Sequence, residues 1–135
     1  VANGTTFSFE GLPGFKDALD RAAADIRAQV AALMEETAYA VRDDARANVI
    51  ASTKGDGDLA RAIIVIGKGT SWRVGLSDQV FPGRGGDRVH QRPFIYGHIL
   101  EHGKRLQPAE PFMRPAADSH LMRFQSRLNG VGLVI

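Results

Sequence analysis

Between Phe15 and Ala51, apolar or small side chains recur every three or four residues: Phe15, Leu19, Ala22, Ile26, Val30, Leu33, Thr37, Val41, Ala45 and Val49. This is one face of an amphipathic helix. Pro13-Gly14 closes the segment before it, and Asp17 and Asp20 lie in the first turns, where the helix dipole favours acids. The interior is rich in alanine (Ala22, Ala23, Ala24, Ala28, Ala31, Ala32), the strongest helix former, and Ser52 to Gly57 ends the pattern. The opposite face, with Asp25, Arg27, Glu35, Glu36, Arg42, Asp43 and Arg46, has the mixed charge of a solvated surface. A helix of about 36 residues would be roughly 54 Å long, whereas a compact chain of this size has a radius of gyration of about 14 Å. Such a helix either kinks or lays its outer part on something outside the chain, such as a neighbouring copy. No proline interrupts it, which favours the neighbour.

A helix that long needs a core to lie on. The chain has 135 residues, 44% hydrophobic and 24% charged, enough for one domain spanning residues 1–135 without covalent staples. The absence of cysteine removes disulfides, thiolate zinc sites and a thiol nucleophile together. No apolar run approaches a membrane span, and Val1 to Thr6 has neither a basic nor an apolar leader region, so we expect a soluble protein with no export signal and no membrane partner.

After the helix, Ala62 to Ile66 is β-branched, and Ser71 to Ser77 alternates strictly, with Trp72, Val74 and Leu76 on one face. Gly67-Lys68-Gly69-Thr70 separates them, so the pair reads as a hairpin whose apolar face covers the long helix. Pro82 to Pro93 is rich in glycine and carries Arg84, Arg88 and Arg92, and it reads as a long mobile loop. Phe94 to His102 returns to helical spacing and is capped by Gly103, while Pro108, Pro111 and Pro115 punctuate an extended connector. A last helix is expected from about Pro115 to Asn129, stopped by Gly130, followed by an apolar, β-prone tail, Val131 to Ile135, that should be covered. The expected architecture is α+β: a long N-terminal helix packed on a small antiparallel sheet, with two shorter C-terminal helices and the tail as a candidate further strand.

Several patterns suggest chemistry and fail on inspection. His98-Ile99-Leu100-Glu101-His102 spells the H-x-x-E-H of inverted zincins, but the only carboxylates that follow as a third ligand are Glu110 and Asp118, and Gly103 ends the helix that should hold the site rigid. A short helix with exposed histidines and an ion-paired Glu101 explains the same letters. There is no G-x-S-x-G turn, and Gly83-Arg84-Gly85-Gly86 lacks the Lys-Ser/Thr of a phosphate-binding loop. Neither catalysis nor a cofactor is implied. Charge is unevenly spread: residues 15–51 carry five basic and seven acidic side chains, and residues 59–105 carry eight basic and three acidic. Arg84, Arg88 and Arg92 could meet a phosphate backbone, stay solvated, or meet the acidic helix of another copy in a heterologous ring.

Three landmarks follow one another: Gly57-Asp58-Leu59-Ala60-Arg61-Ala62-Ile63, Tyr96-Gly97-His98-Ile99-Leu100-Glu101-His102-Gly103, and Pro108-Ala109-Glu110-Pro111-Phe112-Met113-Arg114-Pro115-Ala116. In this order they resemble the head-tail joining proteins of long-tailed bacteriophages, also called neck or tail-completion proteins, over about residues 8–128. His102, Lys104 and Ala62 depart from the aromatic, Thr and Ser usual in that family, and the proline that usually precedes the Gly-x-Leu turn is missing. The resemblance implies a non-enzymatic virion protein that forms a homo-oligomeric ring, six copies expected, around the channel for viral DNA. It would terminate the tail, with the tail tube protein and the head connector (stopper or adaptor) as partners. Within such a ring, Glu101 would pair with a buried arginine, Phe112, Met113 and Arg114 would anchor a neighbour, and Leu133, Val134 and Ile135 would lie in an interface. A head-side adaptor ring and a small DNA-binding module are the alternatives.

Overall fold

The computed structural model describes residues 2–3, 5–10, 12–52, 57–77, 93–103 and 108–133. Its elements are β1 (Ala2–Asn3), β2 (Thr6–Ser8), α1 (Phe15–Arg21), α2 (Ala24–Ala51), α3 (Gly57–Ala62), β3 (Ile63–Lys68), β4 (Ser71–Leu76), α4 (Pro93–His102) and α5 (Met113–Gly130). The fold is α+β, with a wholly antiparallel sheet ordered β1-β2-β4-β3.

The single helix expected from Phe15 is two. Ala22 and Ala23 leave the helix with ψ of 151° and 155°, and the chain restarts at Ala24. The side chain of Arg27 donates to the Ala22 carbonyl at 3.0 Å, so the break leaves that acceptor satisfied. The reason lies in packing. With the break at this point, Phe15, Ala18 and Leu19 of α1 are buried, and Phe15 meets Phe124 edge to face at 5.8 Å. Burying a Phe or Leu is worth about 1.5–3 kcal/mol, more than the few tenths per residue by which alanine prefers a helix. What remains, α2, has 28 residues and is therefore about 42 Å long. Its buried stripe runs Val30, Leu33, Met34, Thr37, Ala38, Val41, Ala45, Val49, as the spacing predicts, and the first turns from Ala24 to Gln29 bury nothing fully.

β3 and β4 form the expected hairpin, paired from Ile63↔Leu76 to Lys68↔Ser71. The two-residue turn has φ of +61° at Gly69, while Thr70, like every other non-glycine residue described, has negative φ, the pattern of a type II′ turn. The third and fourth strands are N-terminal: β2 pairs with β4 at Phe7↔Val74 and Ser8↔Arg73, and β1 pairs with β2. The expectation of a C-terminal strand is therefore corrected for residues 131–133, which form a turn. Phe7 and Phe9 point to the same side, with rings 5.1 Å apart, and Phe9 lies 4.7 Å from Phe124. This aromatic cluster joins sheet, α1 and α5.

α5 starts two residues before Pro115 and ends at Gly130 rather than Asn129. Its stop is Gly132, not Gly130: φ is +87° at Gly132, Gly132 N–H donates to the Asn129 carbonyl at 3.3 Å, and Leu133 N–H to the Leu128 carbonyl at 3.2 Å. This is a Schellman motif, and its companion contact is the buried pair Leu128 and Leu133. The loop expected at 82–93 lies outside the described residues up to residue 92, as do Val134 and Ile135.

Candidate functional site

The three landmarks meet at one place. Leu59 of α3 and Phe112 are buried at 1% and 0% exposure, and both close on Gly97 of α4. A Cβ on Gly97 would stand 2.5 Å from Leu76 Cδ1, 3.2 Å from Leu59 Cδ1 and 3.5 Å from Phe112 Cζ. The glycine thus lets α4 approach the end of the hairpin, α3 and the proline-flanked segment together.

Polar bonds fix the same junction. Glu101, 5% exposed, accepts the Met113 N–H on Oε1 at 2.7 Å. Met113 is the first residue of α5, whose preceding residue, Phe112, offers no side-chain cap, so a carboxylate from another helix satisfies an orphan donor at the positive end of the helix dipole. Asn48 of α2 donates from Nδ2 to the Phe112 carbonyl at 3.0 Å, and Glu110 N–H donates to the Leu100 carbonyl at 2.8 Å. Two residues earlier on α2, Arg46 donates from Nε (3.1 Å) and Nη2 (2.7 Å) to the Ile63 carbonyl at the start of β3. Partial burial draws the Arg46 guanidinium below its ordinary pKa, Arg42 adds repulsion and Asp43 opposes both.

The expected site residues fall into three groups. Phe112, Met113 and Leu133 lie in the chain's own core, and Glu101 caps α5 within the chain. Arg114 is exposed beside them. Arg84, Arg88, Arg92, Val134 and Ile135 lie outside the described residues. The zincin pattern does not converge: His98 and His102 are exposed with ring centroids 4.6 Å apart, while Glu101 is buried on Met113. Among the described residues, no group of three or more His, Asp or Glu side chains is placed to hold a metal ion.

The acidic face of α2 is largely engaged within the chain. Glu36 meets Arg127 at 2.8 Å, Asp44 meets His120 at 2.5 Å, and Asp43 meets Arg42 at 2.8 Å. The hydrogen bond from Arg127, with its charge, holds the Glu36 carboxyl below its usual pKa and raises that of Arg127. Arg42 also lies 4.7 Å above the Tyr39 ring, and Tyr39 lies 6.4 Å from Trp72. The Glu36–Arg127 and Asp44–His120 pairs fasten α5 to α2, and Tyr39 against Trp72 fastens the hairpin. Sequence reasoning missed them, although the i, i+3 spacing of Tyr39 and Arg42 was readable.

The sheet has two unlike faces. Phe7, Ile63 and Val74 turn inward and are fully buried, whereas Ser8, Ile66, Lys68 and Arg73 turn outward. Ile66 is 48% exposed there, on the edge strand β3, and a shallow depression of about 620 Å³ runs across this face between Thr6 and Lys68. A second depression of about 330 Å³ lies between α1 and the hairpin turn, lined by Phe9, Leu12, Phe15, Trp72 and polar neighbours. Neither is lined by a histidine.

A family model described as "Bacteriophage HK97-gp10, putative tail-component" matches residues 14–103, from the turn before α1 to the glycine after α4. The match ends short of the Pro108–Ala116 landmark. No curated protein and no solved structure matches the chain significantly.

Proposed function

The chain belongs to the HK97-gp10-like family of bacteriophage tail components, and from that premise we propose that it is a non-enzymatic neck protein whose ring terminates or completes the tail. The ring, expected to hold six copies, would stand on the tail tube and present a surface to the head connector around the DNA channel. The family match over α1 to α4 carries this reading. The structure adds a reason for each subunit to seek a neighbour in the outer sheet face, with exposed Ile66 between basic Lys68 and Arg73 on an edge strand. The over-long helix no longer supplies such a reason, because it breaks at Ala22-Ala23, and of the tail residues Leu133 is covered by its own chain, while Val134 and Ile135 lie outside the described residues.

The test is the mass of the purified protein by light scattering, with negative-stain images of any rings. Six copies around an open channel support the tail-terminating ring. Twelve copies favour a head-side adaptor. A monomer that stays monomeric on purified tails, yet binds short duplex DNA with a steep salt dependence, favours the DNA-binding module.

A further inference from the structure

Once Glu101 is seen to face inward, the two histidines beside it need a reading of their own. They stand at i and i+4 in the last turns of α4, both exposed, with ring centroids 4.6 Å apart and planes inclined at 49°. We propose that His98 and His102 form a two-imidazole chelate on the surface of α4 for a divalent first-row metal ion of the zinc, nickel or copper class.

Three features carry this. Two imidazoles sharing one metal through ~2.1 Å bonds, at angles from square to tetrahedral, hold their ring centroids roughly 4.5–5.3 Å apart, which includes the observed spacing. The turn that bears them is held from behind, because Leu100 is fully buried with its carbonyl bonded by Glu110 N–H, and Glu101 is bonded to Met113 N–H. The imidazoles are therefore presented by a fixed backbone. The site also lies at the C-terminal end of α4, closed by Gly103 at φ +76°, where the helix dipole favours positive charge. Imidazole donors select zinc, nickel and copper over magnesium and calcium, and water would complete the coordination. This inference is independent of the tail reading.

The experiment is calorimetric titration of the full chain with Zn²⁺, Ni²⁺ and, separately, Mg²⁺. The expected result is one Zn²⁺ or Ni²⁺ per chain and no heat with Mg²⁺. His98→Ala and His102→Ala should each turn a chelate into a single ligand and weaken binding by at least about tenfold. Both rings are exposed, so both variants should melt at the parent's temperature. His90→Ala and His120→Ala should bind as the parent does. The proposal is overturned if the parent takes up no Zn²⁺ or Ni²⁺, if the His98 and His102 variants bind as tightly as the parent, or if Mg²⁺ binds equally well.

Discussion

Glu101 and Met113 are twelve residues apart and belong to different helices, yet the Glu101 carboxylate is the cap of the helix that Met113 begins, at 2.7 Å. Through this bond the Leu-Glu-His-Gly and Pro-Phe-Met landmarks become one structural unit. It also answers what a buried carboxylate does here: it satisfies a backbone donor, where sequence reasoning expected an arginine.

Replacing Glu101 with alanine leaves the Met113 N–H without its acceptor in a buried position. We expect a loss of about 1–3 kcal/mol in urea denaturation, with Glu101→Gln losing less because an amide oxygen can still accept. Equal losses for the two variants would show that the bond contributes little.

Trp72 lies over Gly67, its cross-strand partner, and a Cβ on Gly67 would come within 2.4 Å of Trp72 Cε3 and 2.6 Å of the Ser71 carbonyl. Trp72 is further held by its indole N–H on the Gly69 carbonyl at 2.8 Å. Gly67→Ala must therefore move the ring or bend the hairpin, and should destabilise by about 1–3 kcal/mol with a changed Trp72 fluorescence maximum. Parent-like emission and stability would show that the hairpin yields freely.

The Glu36 carboxyl has its pKa lowered by Arg127, so the folded state binds its proton less readily than the unfolded chain, whose ordinary value is 4.5. The pair's contribution is complete above that value and disappears as pH falls through the lowered folded one. Parent and Glu36→Gln should therefore differ in melting temperature at neutral pH and converge in acid. Both groups are solvent-facing, so the gap should be small and should shrink with added salt. A gap that widens in acid would reverse the assignment.

Arg84, Arg88 and Arg92 remain proposed contacts for DNA or for the next ring. Changing all three to serine should leave the melting temperature unaltered and reduce the joining of heads to tails in a complementation assay. Normal yields of infectious particles from the triple variant would remove these arginines from the assembly surface.

Much of this fold is written locally. The stripe from Val30 to Val49 is legible because helical periodicity depends only on near neighbours, and the hairpin because alternation and a turn glycine do too. Thr6-Phe7-Ser8-Phe9 carried the same period-two signal, and β2 could have been read from it. Gly103 as a cap was readable, whereas Gly130 and Gly132 are equally plausible stops until the backbone shows which adopts positive φ.

The sequence by itself determined the family, the α+β class and the main buried faces; among the described residues, no helix is long and apolar enough to cross a membrane. Only the tertiary structure decided that Ala22-Ala23 breaks the helix, that Phe112 and Met113 are core, and that Glu101 is a cap. The physical reason is range. Periodicity and caps are set within a few residues, whereas the break depends on Phe15 meeting Phe124, and the junction on Asn48 reaching the Phe112 carbonyl across 64 positions. Such contacts override local propensity because burying one aromatic ring outweighs the helix preference of two alanines.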